Sequence, residues 1–383
     1  MDTSEPLQLL GGLTPQQFMK RHWQKKPLLV RQAIPAFAPL LPRAGLFDLA
    51  GQEGVESRLL SHGDRGWNLK RGPFNRRSLP PISRPQWTLL VQGVDLHHEG
   101  VHALMQQFRF VPDARLDDVM ISYASDGGGV GPHFDSYDVF LLQASGQRRW
   151  RIGRQKDLSL VEGLPLKILA NFEPEQEYVL EAGDMLYLPP RWAHDGVAVG
   201  ECMTYSIGFR QPARGELARE LLVRVAEEAA DTLGDAAYRD PGQPAVSRPG
   251  EMPEAMLDFA RDAVARALRD PAQLAMALGE VLTEPKPNVW FDTPALDGGE
   301  SVGADVGGEL AGAVILDRRT RMMYDPQYIF INGESFRASG RDARLMRTLA
   351  DDRRLGASDV RKLGADALDL LDQWKDCGWV HEA

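Results

Sequence analysis

His133-Phe134-Asp135, with His194 far downstream, is the set of side chains in this sequence best suited to hold a redox-active metal. Two imidazoles and one carboxylate on one face of an octahedron leave three positions open, the arrangement of mononuclear non-haem Fe(II) sites that take a co-substrate and O2. An H-x-D triplet alone arises often by chance, so its surroundings decide. A strand of period two puts residues 133 and 135 on one face. His194 follows a strand, the Gly183-Asp184 turn, a second strand and the loop bounded by Pro189-Pro190, which delivers a third ligand from a neighbouring strand. A second string competes. His98-Glu99-Gly100-Val101-His102 matches H-E-x-x-H, in which one helix face offers two imidazoles to zinc and the glutamate acts as a base. Its context is poor: Gly100 costs about 1 kcal/mol relative to alanine inside the required helix. The string also opens a helix where the motif needs its middle. We read it as a surface segment with incidental histidines.

The elements that must position these residues follow from hydrophobic period and turn signals. Thr14-Pro15-Gln16-Gln17 supplies an N-cap hydroxyl, a first-turn proline and a polar third position, which predicts a helix before Phe18 and Trp23. Residues 87–95 read as a strand and 103–108 as a short helix. Between 118 and 210 short β-rich runs alternate with Gly and Pro, the pattern of a sandwich or barrel. Pro212 marks a change to helix, where Leu217, Leu221, Val225, Ala229 and Leu233 form one stripe before Gly234. A second amphipathic helix carries Leu257, Ala260, Val264 and Leu268, and a third spans about 272–283. Together they suit a helical subdomain or a subunit interface. Residues 284–308 read as a Pro/Gly-rich linker. Beyond it, strands near 313–317 and 328–333 and helices near 341–351 and 358–375 have winged-helix proportions.

Composition narrows the function. The 383 residues give about two to three domains' worth of chain. Asp plus Glu number 54 against 44 Lys plus Arg, a net charge of −10 that disfavours non-specific binding to nucleic acid or anionic membrane and favours a basic partner. Lys70, Arg71, Arg76 and Arg77 cluster around Trp67 and Phe74, yet a solvated loop is the simpler reading and no direct nucleic-acid binding is expected. Only two cysteines, Cys202 and Cys377, exclude a disulfide framework, so a cytoplasmic setting is expected. No apolar run is long enough to span a membrane, and no export signal is read at the N-terminus.

The block Gly127-Gly128-Gly129-Val130-Gly131-Pro132-His133-Phe134-Asp135, followed by Tyr137-Asp138-Val139-Phe140, Gln143, Gly146 and Arg148-Arg149-Trp150, resembles the bacterial JmjC-type ribosomal oxygenases. Within that family the similarity points to arginine hydroxylases of large-subunit ribosomal protein sixteen. The H-E-x-x-H string is no part of that family's site. The resemblance implies Fe(II) held by His133, Asp135 and His194, with 2-oxoglutarate and O2 as co-substrates. It also implies that Arg148 pairs bidentately with the distal carboxylate of 2-oxoglutarate, and Ser122 matches the family's co-substrate serine. We expect Arg148 to return toward the metal face across a hairpin turned by Ala144-Ser145-Gly146, with Arg149 and Arg151 facing outward. Ser206 is added as a second co-substrate hydroxyl. Strand alternation places Asp118 and Met120 on the face of Ser122, and Tyr137 two residues after Asp135. A carboxylate, a thioether and a phenol suit a guanidinium on a methylene stem, so these three are the expected substrate pocket.

The expected fold is therefore α+β. A double-stranded β-helix (jelly-roll cupin) catalytic domain with an N-terminal αβ extension spans 1–211, a helical dimerisation region 212–284, and a small winged-helix-like domain 285–383. The expected activity is hydroxylation of an arginine β-carbon on a ribosomal protein by a homodimer. Two alternatives stay open at this point: a JmjC-type hydroxylase of histidine or another residue, and a non-catalytic metal-binding cupin that docks a protein partner.

Overall fold

The structure is a computed structural model that describes residues 2–64, 66–292 and 312–383. It falls into two compact units, divided between Gln211 and Pro212.

The first unit is built on nine strands: β1 (Leu28–Val30), β2 (Ser57–Gly63), β3 (Gly66–Arg71), β4 (Trp87–Val91), β5 (Leu116–Ala124), β6 (Val139–Arg154), β7 (Gln176–Leu180), β8 (Met185–Leu188) and β9 (Trp192–Phe209). Their order is β1-β8-β6-β9-β5-β4-β2-β3, with β7 added to the far half of β6, and each pairing is antiparallel. This is the expected double-stranded β-helix. Strand alternation sorts the side chains onto two faces. Val119, Ile121, Tyr123, Phe140, Leu142, Tyr205 and Ile207 point to an outer core closed by α1 (Pro15–Arg21), α2 (Arg43–Leu49) and α3 (Glu99–Gln106). The capping box predicted at Thr14 is present, with Gln17 N–H donating to Thr14 Oγ1 at 3.1 Å, and α1 delivers Phe18 edge-on to Tyr187 at 4.9 Å. Val139, Leu141, Trp150, Ile152, Leu186 and Leu188 form a separate, inner cluster. The sheet thus has an apolar back and an inner face into which polar groups are set.

Two expectations about local structure are corrected. Ala144-Ser145-Gly146 does not turn a hairpin; β6 runs through it, and the β6–β9 ladder shifts register between Gln143 and Gln147 instead. A bulge of this kind adds a residue and so reverses which parity faces inward. Val139, Leu141 and Gln143 face in before it, and Arg148, Trp150 and Ile152 face in after it. Second, His133-Phe134-Asp135 is not a strand. His133 makes one isolated antiparallel bridge to His194, and Asp135 lies in the loop beyond.

The second unit begins with α4 (Arg214–Leu233), α5 (Glu254–Ala267) and α6 (Pro271–Thr283). Its C-terminal part has β10 (Val314–Leu316), β11 (Met322–Tyr324), β12 (Tyr328–Ile331), β13 (Glu334–Arg337), α7 (Gly340–Asp352), β14 (Arg354–Leu355), α8 (Ala357–Val360), α9 (Ala365–Asp376) and β15 (Val380–Glu382). Val314, Ile331, Met346, Leu349, Leu371 and Trp374 form its core. The single helix expected over 358–375 is two, because Gly364 breaks it: its N–H donates to Asp342 Oδ1 at 3.2 Å, and a Cβ there would lie 2.9 Å from Asp342 Oδ2. Helix α6 belongs with the winged hairpin, since Ser335 donates to Glu280 at 2.6 Å and Gly333 N–H to Thr283 Oγ1 at 3.1 Å. Most of the expected linker at 284–308 lies outside the described residues. Among those described, no helix is long and apolar enough to cross a membrane.

Candidate active site

His133 and His194 are held opposite each other by backbone. His133 N–H donates to the His194 carbonyl at 3.0 Å and His194 N–H returns to that of His133 at 2.8 Å. Directly bridged residues project to the same side, and the ring centroids are 4.2 Å apart. Asp135 completes the group, its Oδ2 3.7 Å from His194 Nε2. One donor atom from each of the three residues lies within 4.8 Å of the others. The Pro189–Pro190 loop returns over this segment, and Arg191 N–H donates to the Asp135 carbonyl at 2.7 Å.

The tautomers follow from the partners. His133 Nδ1 is 2.9 Å from the Gly131 carbonyl, and His194 Nδ1 2.9 Å from the Trp192 carbonyl. A carbonyl only accepts, so each Nδ1 carries a proton, which leaves Nε2 as the ring nitrogen available to a metal. Gly131 is required here: at φ +79 a Cβ would meet Ile168 and Trp67 at 3.0 and 3.1 Å. Burial, and then the adjacent His133, push His194 well below the ordinary imidazole range, which also favours a neutral ligand. Two neutral imidazoles and a carboxylate suit Fe(II) or a similar divalent ion.

Arg148 shares the inner face with His194. On the β6–β9 ladder Ile152 pairs with His194, Trp150 with Gly196 and Arg148 with Ala198. The Trp150 ring lies between the two functional groups, 5.8 Å from the His194 ring and 5.7 Å from the Arg148 guanidinium carbon. Gly196 makes room for it, because a Cβ there would fall 2.6 Å from the indole. We therefore expect Gly196→Ala to destabilise the fold by about 1–3 kcal/mol through overpacking, read as a lower urea midpoint. Arg148 is only 5% exposed, and among the described residues its one hydrogen bond runs from Nε to Cys202 Sγ at 3.4 Å. Its Nη2 is buried without a partner. A buried, unpaired guanidinium is costly unless an anion joins it, so the residues present fit a carboxylate ligand. Arg149 is exposed and the Arg151 guanidinium pairs with Asp195 at 2.6 Å, both away from this face.

Of the remaining expected residues, Asp118, Met120, Ser122 and Ser206 lie on the same side of β5 and β9, and Tyr137 lies in the loop after Asp135. Ser122 donates weakly to the Thr204 carbonyl at 3.4 Å, and Met120 is the register partner of Ser206. Asp118 lies where the β5–β9 register shifts, is 8% exposed and accepts from Gly93 N–H at 3.1 Å. Tyr137 is partly exposed; desolvation and the carboxylates of Asp135 and Asp118 push its phenol up, so it stays protonated. Two polar residues of this face have no role assigned from the sequence: Thr204 donates to Gln143 Oε1 at 3.0 Å, and Gln143 Nε2 to the Ser145 carbonyl at 2.9 Å. The alternation Cys202/Thr204/Ser206 is the signal that the sequence carries for Thr204.

The H-E-x-x-H string does other work. His98 is the N-cap of α3, its Nδ1 accepting from Val101 N–H at 3.4 Å, so it precedes the helix on which the zinc motif depends. Within the basic cluster Arg76 forms a bidentate pair with Asp48 at 2.8 and 2.9 Å and Phe74 is buried in the outer core, while Lys70, Arg71 and Arg77 are exposed.

A double-stranded β-helix that carries two histidines, an aspartate and a buried arginine on its inner face defines the JmjC class of cupin, and residues 103–217 match the JmjC domain family. Residues 266–381 match the ROXA-like winged helix. The chain is 37% identical over 270 residues to ribosomal protein uL16 3-hydroxylase of Escherichia coli K12, covering 70% of each protein. It is 37% identical over 205 residues to a probable ribosomal oxygenase of Haemophilus influenzae, covering 52% of this chain and 50% of that one. Among solved structures it resembles E. coli YcfD, a ribosomal oxygenase, in complex with cobalt and 2-oxoglutarate, with a TM-score of 0.78, 30% identity, and 96% and 98% of the two chains covered. The chain belongs to the JmjC ribosomal oxygenase family.

Proposed function

We propose that this chain is an Fe(II)- and 2-oxoglutarate-dependent protein hydroxylase whose substrate is an arginine β-carbon of the large-subunit ribosomal protein uL16. The observation that carries the reading is the convergence of His133, Asp135 and His194, with a buried Arg148 whose Nη2 has no hydrogen-bond partner among the described residues. When bound, the iron supplies the oxidative chemistry, in which O2 and 2-oxoglutarate are consumed, succinate and CO2 are released and a substrate C–H bond is hydroxylated. The protein's own residues bind and orient. His133, Asp135 and His194 hold the metal; Arg148, aided by Ser122 and Ser206, holds the distal carboxylate of 2-oxoglutarate. Trp150 and the inner aliphatic cluster exclude water between them.

Asp118, Met120 and Tyr137 form the substrate pocket, with the Asp118 carboxylate as partner for a guanidinium and the other two as walls for its methylenes. Asp118→Asn keeps an acceptor for Gly93 N–H and removes the charge. Truncating one side of a buried charged pair costs roughly 2–5 kcal/mol, so uL16 hydroxylation is expected to fall by more than about 30-fold. Succinate formation without the ribosomal protein should persist. Equal loss of both products would make Asp118 structural.

The first unit is the catalytic domain. In the second, Leu222, Val223, Met256, Phe259 and Val264 stand exposed on α4 and α5, an apolar surface that supports a homodimer interface over 212–284. Both cysteines are free, in keeping with a cytoplasmic enzyme. The deciding experiment incubates the protein with Fe(II), 2-oxoglutarate, O2 and unmodified uL16, then locates any single-oxygen mass gain by tandem mass spectrometry. A gain on one arginine is expected. A gain on histidine would move the assignment to a histidyl hydroxylase, and succinate without any gain would reject uL16 as substrate.

A further inference from the structure

Cys202 occupies a place in the co-substrate subsite that the proposed reaction does not use. With Ala124 and Ala198 it forms a small buried patch, and Ala198 is the register partner of Arg148. The thiol is 1% exposed and is the acceptor for Arg148 Nε, while Arg148 Nη2 beside it has no partner. Sulfur is a weak acceptor. It orients the guanidinium without neutralising it, so the buried cation is left ready for whichever anion arrives first.

We propose that Cys202 is a redox modification site whose oxidised form, a sulfinate, pairs with Arg148 and excludes 2-oxoglutarate. This rests on the assignment of Arg148 as the co-substrate anchor. The oxidant is a hydroperoxide, with hydrogen peroxide as the probe. In the first step the sulfur attacks one peroxide oxygen, an S–O bond forms as the O–O bond breaks, and the second oxygen leaves as water with the thiol proton: Cys–SH + H2O2 → Cys–SOH + H2O. A second equivalent gives Cys–SO2H + H2O, each step removing two electrons from sulfur. The sulfinic proton goes to solvent. The resulting anion presents two oxygens to the guanidinium fork as a carboxylate does. Because it is tethered beside Arg148, it competes at an effective concentration that free 2-oxoglutarate must exceed. Bound 2-oxoglutarate, by occupying Arg148, shields the thiol in turn.

The test uses full-length protein loaded with Mn(II) and carrying Cys377→Ser, which removes the other, exposed cysteine. Hydrogen peroxide is added with and without 2-oxoglutarate, oxidation at Cys202 is quantified by mass spectrometry, and 2-oxoglutarate affinity is measured by calorimetry. Oxidised protein is expected to lose about tenfold or more in 2-oxoglutarate affinity while retaining Mn(II), and prior 2-oxoglutarate should slow the oxidation. Cys202→Asp, a fixed carboxylate, should reproduce the loss, whereas Cys202→Asn, of the same size without charge, should not. Equal affinities in the Asp and Asn variants, full affinity in oxidised protein, or a thiol that resists peroxide in the absence of 2-oxoglutarate would each overturn the proposal. An Arg148→Ala arm separates the two claims. Unchanged 2-oxoglutarate affinity there overturns the anchor itself, and reduced affinity there with a silent Cys202 overturns only the cysteine.

Discussion

Asp135→Ala is expected to reduce hydroxylation to background and to strip the protein of iron. The two histidines alone leave a neutral donor pair, and Asp135 is the group's one anionic ligand. Loss of an outer partner to a metal ligand commonly costs roughly 10–100-fold in affinity, so removal of the ligand itself should exceed that. The fold should survive. His133 and His194 are joined through backbone bonds at 3.0 and 2.8 Å, and the loop is tied by Arg191 N–H to the Asp135 carbonyl, which the substitution keeps. The apo protein should therefore unfold at nearly the wild-type temperature, while the stabilisation that added Fe(II) or Mn(II) gives the wild type disappears. Metal content by emission spectrometry, with succinate release, checks both halves. Normal iron content with normal turnover would remove Asp135 from the site.

What the sequence made legible here depended on how local the cause was. The capping box at Thr14, the stripe on α4 and the run of short strands are set within one turn or one strand, and they appear as read. His133 and Asp135 do come together with His194, though not by strand alternation. They converge because a single bridge to His194 and a bond from Arg191 fold the loop back, where a strand's alternation had been expected to do it. Arg148 shows the same limit more sharply. Parity counted forward from Leu141 and Gln143 would send Arg149 inward; only the register shift between Gln143 and Gln147 brings Arg148 there. That shift is a property of the pairing with β9, so no reading of β6 alone contains it. Thr204 and Gln143 have no role assigned from the sequence for a related reason, since each looks like an ordinary strand residue until the register sets them side by side at 3.0 Å.

Arg148→Ala should separate binding from stability. The side chain is 5% exposed and, among the described residues, holds one weak hydrogen bond, to sulfur, and has a buried nitrogen without a partner. In the absence of co-substrate it is a buried cation offset only by the sulfur contact and the Trp150 ring face, with no anion beside it, so its removal should leave the stability of the apo protein little changed, the desolvation relieved being set against those contacts and a cavity. With co-substrate the removal is costly. A bidentate pair to the distal carboxylate in this face is worth roughly 2–5 kcal/mol on truncation, so 2-oxoglutarate affinity should fall by about 30-fold or more. Metal binding should be unchanged, because the Trp150 ring stands between Arg148 and His194. Thermal shift with Mn(II) alone, and with Mn(II) plus 2-oxoglutarate, reads both effects in one experiment. If the variant melts well below wild type without ligand, Arg148 is a structural residue of the barrel; if 2-oxoglutarate still stabilises it fully, the carboxylate is anchored elsewhere on the inner face.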